Sequence, residues 1–349
     1  MVARFSLSAL ALLMLVPRAS TARDLRISVF GLFHPKRLMI SSLPTQTIIC
    51  NAGMHQIVLS DGSQASLSSE GSQVRVQIND ESLVTSELLV TDRMGRGTEF
   101  LLSVPGRITR RFGGKLTVKS QTGELVAMVE MDLETAVASA VAAESVPGAP
   151  LEALKAQAVA TRSYYLASRS RHGQTDFCDT THCQFLREAP PPHSPAAQAT
   201  AATDALVLLY DGATLPALFT GSCGGRTRTL AEIGLTPARY PYFSVPCNYC
   251  QRHAPRWSAQ LEIKDAAELA SHSEGDRLRL GRILGWNAVP GNNYELQCEG
   301  DVVVVQGSGK GHGVGLCQLG AAWMARQGYG FHEILAYYYP NTVAGTPGN

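Results

Sequence analysis

Leu133-Glu-Thr-Ala-Val-Ala-Ser-Ala-Val-Ala-Ala-Glu144-Ser-Val-Pro-Gly148, followed by Leu151-Glu-Ala-Leu-Lys-Ala-Gln-Ala-Val-Ala-Thr-Arg-Ser-Tyr-Tyr165, is the stretch on which the fold turns. It reads as two Ala-rich helices joined by a tight Pro-Gly turn. The first runs from Leu133 to about Glu144 and the second from Pro150 to about Arg171. Leu133, Val137 and Val141 share one helical stripe, and Glu144 continues it. A carboxyl on a core-facing stripe loses water, which favours its protonated form and makes it a candidate general acid. The competing reading is a solvated carboxylate in a fraying last turn. In the second helix Pro150 suits the first position and Glu152 the positive end of the helix dipole. Its expected inward stripe is Leu151, Leu154, Ala158, Thr161 and Tyr165, with Lys155 and Arg162 together on one flank.

Toward the N-terminus the texture is different. Leu25–Val29, Gln73–Gln77 and Lys115–Lys119 alternate with period two, and Asp61-Gly62 and Gly113-Gly114 read as turns. Residues 23–130 are therefore expected to form a β-rich accessory domain, with a mixed α/β domain over 131–349 and an α+β class for the whole. Residues 1–22 have one early positive charge, an apolar run and small residues at Ser20-Thr-Ala22, the pattern of a cleaved export signal. That pattern implies a secreted or periplasmic protein with no membrane span after cleavage. The 349 residues are 45% hydrophobic and 17% charged, which fits a globular protein, and the net charge of +1 gives no reason to expect nucleic acid as a partner.

Toward the C-terminus, Asp211-Gly212 between Ala205–Tyr210 and Leu215–Phe219 signals a hairpin, and two short helices near Arg326 and Tyr337 close the chain. Four clusters between these elements bear on chemistry. His172, Cys178, His182 and Cys183 supply four nitrogen and sulfur donors, which matches tetrahedral zinc; a Cys178–Cys183 disulfide with both histidines on the surface is the other reading. Cys247-Asn-Tyr-Cys250 lacks a thioredoxin-like context and favours a disulfide, with Cys223 and Cys298 as alternative partners. Thr220-Gly-Ser-Cys-Gly-Gly-Arg-Thr227 lets backbone approach a ligand closely but lacks a phosphate-loop pattern. Gly307-Ser-Gly-Lys-Gly-His312-Gly-Val-Gly-Leu-Cys-Gln318 stands too near the end of the chain for a dinucleotide fingerprint.

Taken in order, these segments resemble the stage II sporulation protein D family, the SpoIID/LytB domain. The residues that carry the resemblance are Ala142-Ala-Glu144, Leu151–Ala160 with Arg162, Cys178-Asp-Thr-Thr-His-Cys-Gln184, Ser222-Cys-Gly-Gly-Arg-Thr227, Gly311-His-Gly-Val-Gly315 with Gln318, and Tyr338-Tyr-Pro340. The resemblance implies a lytic transglycosylase on peptidoglycan glycan strands, with Glu144 at the catalytic glutamate and the Cys/His loop as a structural zinc site. On polarity and loop position, Gln157, Arg162, Ser222, Arg226, His312, Gln318 and Tyr338 are expected to line the glycan groove of such an enzyme, with other cell-wall hydrolases as expected partners. The resemblance also admits a wall-binding or amidase-enhancing protein without chemistry of its own. The chain departs from the family at two places. Glu144-Ser-Val-Pro147 is one residue longer than the usual Glu-Met-Pro, and Lys310 stands where a tryptophan is usual.

Overall fold

The computed structural model describes residues 24–262, 269, 272–299 and 302–347; the expected export signal lies outside them. Residues 25–131 form a large, almost wholly antiparallel sheet. Its main path runs Phe177–Cys178, Leu25–Val29, Glu124–Met131, Ile108–Gln121, Thr98–Val104, Arg37–Ser41, Gln64–Glu70, Gln73–Ile78 and Glu81–Thr85. Alternation sets the faces: Leu25, Ile27 and Val29 are buried while Arg26 and Ser28 are half-buried. The one parallel neighbour in that sheet is Phe177–Cys178, which pairs with Ile27 and Ser28. The Cys/His loop is thus registered on the first strand of the β-rich segment.

Gly113-Gly114 is not a turn. Both glycines lie inside Ile108–Gln121, where the strand stops pairing with Thr98–Val104 and starts pairing with Glu124–Met131. Gly114 has φ +140°, and a Cβ there would strike the Glu130 carbonyl, so the pair is a bend at a sheet corner. Asp211-Gly212 does form the expected two-residue hairpin, with positive φ at both positions and Leu209 opposite Thr214.

Helix α1 (Leu133–Glu144) is capped by Asp132, whose carboxylate accepts from Thr135 N at 2.9 Å. Helix α2 (Leu151–Ala167) starts after Pro150 and ends before the expected Arg171. Its core-facing surface is broader than one stripe. Ala153 through Leu154 and Ala156 through Tyr165 are buried, while Leu151 is 39% exposed. Leu154, Ala158 and Tyr165 join the core under the large sheet, and Ala153, Ala156, Val159 and Ala160 join a second core toward the C-terminus. The alanines let neighbouring elements close on α2 from both sides, so α2 is the central element. Helix α3 (Pro195–Ala202) is capped by Ser194 and packs on α1 and α2.

The second core also holds α4 (Asn248–His253), then α6 (Gln318–Arg326) and α7 (Phe331–Tyr338) further along the chain. Between them the strands Arg256–Glu262, Tyr294–Glu299 and Val302–Ser308 form a three-stranded sheet with α5 (Glu274–Leu284), around a small core of its own. Among the described residues no helix is long and apolar enough to cross a membrane.

Candidate functional site

Glu144 is the last residue of α1, and the carbonyl-rich end of that helix is a poor place for a negative charge. The turn that follows is Val146-Pro147-Gly148-Ala149, closed by Ala149 N donating to Val146 O at 3.0 Å, with Gly148 at φ +68°. Ser145, the residue this turn leaves over, continues from α1 in extended conformation and donates its N–H to Val141 O. Ser145 thus lies after the helix, and Glu144 holds its position as the last helical residue.

Two contacts fix Glu144. Phe185 N–H donates to its Oε1, and Gln318 Nε2 donates to its backbone carbonyl at 2.9 Å. The half-buried carboxyl is pushed up to about 7 by desolvation, with the Phe185 hydrogen bond acting in the opposite direction. The segment carrying Phe185 is stitched along α1: Ser139 Oγ donates to Arg187 O at 2.6 Å and accepts from Arg187 N at 3.2 Å. The Phe185 ring lies beneath two guanidiniums, Arg187 at 4.9 Å and Arg110 at 5.7 Å from its centre. Phe185 was not among the residues expected at the site; its only signal in sequence is its place two residues after Cys183.

Immediately before Phe185 the four donors of the Cys/His loop converge. His172 Nε2 lies 3.1 Å from Cys183 Sγ, Cys178 Sγ lies 3.6 Å from Cys183 Sγ, and His182 Nδ1 lies 3.9 and 3.8 Å from the two sulfurs. All four ligand atoms fall within 4.8 Å of one another, so the cluster is able to hold a metal ion, and the two cysteines are free thiols. A two-sulfur, two-nitrogen donor set at these separations fits a four-coordinate ion. The nearest acidic candidates do not pair with Glu144. Asp179 is buried, accepts from Phe30 N at 3.2 Å and forms an ion pair with Arg110 at 3.0 Å, and Glu188 is exposed.

The expected groove residues are placed differently. Gln318 touches Glu144, as described. Arg162 is fully buried in a bidentate pair with Glu134. Tyr338 is buried with its hydroxyl 3.6 Å from Cys247 Sγ, and Ser222 is buried with Oγ 3.4 Å from Cys250 Sγ. His312 Nδ1 accepts from Val314 N at 3.1 Å, and burial holds its imidazole below the usual range. Arg162, Ser222 and Tyr338 are thus buried with polar partners that sequence does not reveal, whereas His312 is half-buried. Gln157 is buried too, but its Nε2 has no partner among the described residues, and the same holds for Gln184 Oε1. Arg226 is exposed, paired with Glu232 at 2.6 Å, and lines a cleft of about 450 Å³ with Arg228, Ser244, Gln251 and Asn293.

Lys310 is exposed, and its backbone forms a two-way bridge with Ser222. An aromatic ring nevertheless stands beside this loop. Trp257 Nε1 donates to Gly309 O at 3.1 Å, and Trp257 and Tyr294 line a cleft of about 660 Å³. The glycines of the loop are demanded by space. Gly315 has φ +72°, and a Cβ there would drive into the Leu218 carbonyl. Gly315→Ala is expected to destabilise the protein by roughly 2 kcal/mol or more, read as a fall in Tm; an unchanged Tm would contradict this packing.

These features define an α+β protein with a desolvated carboxyl beside a thiol–imidazole cluster. Residues 121–210, which hold α1, α2 and the Cys/His loop, match the SpoIID family profile, described as stage II sporulation protein. An uncharacterized protein of Brachyspira hyodysenteriae is 26% identical over 259 residues, 65% of this chain and 70% of that one. Stage II sporulation protein D of Bacillus subtilis is 26% identical over 173 residues, 41% of this chain, and the match spans about half (49%) of the relative's length. Stage II sporulation protein D of Bacillus amyloliquefaciens is 26% identical over 252 residues, 59% of this chain and 72% of the relative. The similarity to the SpoIID family thus lies over residues 121–210, and the three relatives extend it along the chain at 26% identity.

Proposed function

We propose that the chain is an exported peptidoglycan lytic transglycosylase that cleaves glycan strands to 1,6-anhydro-muramoyl ends. The observation that carries this reading is Glu144: a carboxyl held near pH 7 by desolvation, with no second carboxylate paired to it among the described residues. Hydrolysis by the common route uses two carboxylates flanking the bond. Lytic cleavage needs one. Protonated Glu144 donates to the leaving glycosidic oxygen, and the resulting carboxylate takes the proton of the muramoyl 6-hydroxyl as that oxygen closes on the anomeric carbon. No water is consumed, and the glutamate ends protonated for the next turnover.

Phe185, whose N–H meets the acid and whose ring carries the Arg187 guanidinium, supports a saccharide site, since aromatic faces stack on sugar rings. A strand stripped of stem peptides offers a free lactyl carboxylate to the exposed Arg187. Gln157 and Arg226 remain proposed polar contacts. His172, Cys178, His182 and Cys183 would hold zinc, whose contribution there is structural: it fixes the loop that aims Phe185 N–H at Glu144. Glycan strands, and other wall hydrolases acting on them, are the proposed partners.

The second reading, a wall-binding or amidase-enhancing protein, is favoured by Lys310 at the usual tryptophan position. Mass spectrometry of purified sacculi digested by the full mature chain separates the two. The transglycosylase releases anhydro-muramoyl ends, whereas a binder sediments with the wall and releases neither anhydro nor new reducing ends. New reducing ends alone would replace the lytic mechanism with a hydrolytic one.

A further inference from the structure

The disulfide expected to involve the Cys247–Cys250 motif, with no partner assigned, is absent: both are free thiols, and so is every other cysteine. Cys298 is exposed on the Tyr294–Glu299 strand and takes no part in what replaces it. Cys223, Cys247, Cys250 and Cys317 instead converge, all four buried, with every sulfur within 4.8 Å of every other. We infer that these four cysteines form a closed, all-thiolate site for a single divalent cation of the zinc class, clamping the wall of the site behind Glu144.

The geometry is that of a small tetrahedron. Zinc–sulfur bonds of about 2.3 Å require sulfur–sulfur edges of ~3.8 Å. Cys250 Sγ and Cys317 Sγ stand 3.5 Å apart, and the remaining pairs stay within the 4.8 Å limit. Two disulfides would draw the sulfurs into separate pairs bonded at about 2.05 Å, a different arrangement. The compact set also suits one ion and not a multi-iron cluster, whose cysteine sulfurs sit around the outside of a larger inorganic core. Soft thiolate donors select zinc over the hard cations that oxygen ligands hold.

The surroundings supply what a buried metal thiolate needs. Cys317 is the N-cap of α6, and its sulfur accepts from Gly320 N and from Cys223 N, each at 3.4 Å. Those donors and the helix dipole offset negative charge on sulfur. Cys247 and Cys250 straddle the start of α4 with two residues between them, a spacing that lets one turn of chain present both sulfurs to one point. A Cβ at Gly320 would collide with the Tyr338 hydroxyl and come within 2.6 Å of Cys247 Sγ, so glycine there leaves room for the sulfurs. Four protein ligands leave no open position, which makes the site structural.

The clamp ties together three distant parts of the chain. Cys223 lies in the Gly-rich loop bridged to Lys310, Cys247 and Cys250 begin α4, and Cys317 begins α6. Gln318, the next residue, donates to the Glu144 carbonyl. This inference does not rest on the proposed activity, and its test reads metal only. The full mature chain with Cys178→Ser and Cys183→Ser, which disables the other cluster, is expected to retain one zinc per chain by elemental analysis. X-ray absorption at the zinc edge should then show four sulfurs at about 2.3 Å and no nitrogen. If that variant fails to fold, the wild-type chain serves: two zincs per chain averaging three sulfurs and one nitrogen support the site. A single zinc with two sulfurs and two nitrogens, or non-reducing peptide mapping that links any of the four cysteines in a disulfide, overturns it.

Discussion

Glu144→Gln is expected to lower the release of anhydro-muramoyl ends by ~10²- to 10⁴-fold, the range associated with losing a positioned general acid. Glutamine preserves the shape and accepts the Phe185 N–H, but it neither donates a transferable proton nor takes one back. Wild-type kcat/KM should show one descending limb, full below the carboxyl's value of about 7 and falling as pH rises through it. An activity that rises with pH in that range would remove Glu144 from the role of acid. Stability supplies an independent check. A carboxyl whose folded value is raised from 4.5 to about 7 binds more protons when folded than when unfolded, so its contribution to stability falls as pH climbs through that window. Glu144→Gln is released from this penalty. It should melt above wild type at pH 8, by roughly 1–3 kcal/mol, and together with it at pH 4. A variant that is inactive and also less stable at pH 8 would point to misfolding, not to lost chemistry.

The parts of this site that sequence discloses are those built from local pattern. Leu133, Val137 and Val141 carry Glu144 to the end of a helix by simple periodicity, and the Cys/His loop keeps all its donors within twelve residues of chain. What stays hidden depends on distant pairings. Cys223 and Cys317 are 94 positions apart in chain number and meet through the parallel pairing of Phe219–Thr220 with Leu316–Cys317, while Cys247 and Cys250 join them through the Arg226–Pro246 bridge. Gly113-Gly114 looks like a turn because a corner inside one strand and a turn between two ask the same freedom of the backbone. Polarity misleads at the buried Arg162, Ser222 and Tyr338 for a related reason. A polar side chain in a promising loop reads alike whether its hydrogen bonds serve a ligand or the protein's own backbone, sulfur and carboxylate groups.

Arg162 shows how large that difference is. Its guanidinium is fully buried on α2 and reaches Glu134 in the first turn of α1 through two bonds, Nε to Oε1 at 2.7 Å and Nη2 to Oε2 at 2.6 Å. Its remaining donors satisfy the Leu206 carbonyl at 2.9 Å and the Thr200 carbonyl at 3.3 Å, just beyond and within α3. One side chain therefore ties the start of α1, the middle of α2 and the end of α3. Arg162→Ala leaves the Leu206 carbonyl and a partly buried carboxylate without their partner and opens a cavity, and it is expected to destabilise the protein by about 3–5 kcal/mol. Arg162→Lys keeps the charge but loses the planar fork, so it should fall between alanine and wild type. The kinetic signature separates packing from ligand contact. A groove residue changed to lysine would raise KM at unchanged Tm, whereas the buried tie predicts a lower Tm with KM unmoved in the fraction that stays folded. An Arg162→Ala chain that melts with wild type would refute the tie and return Arg162 to the groove.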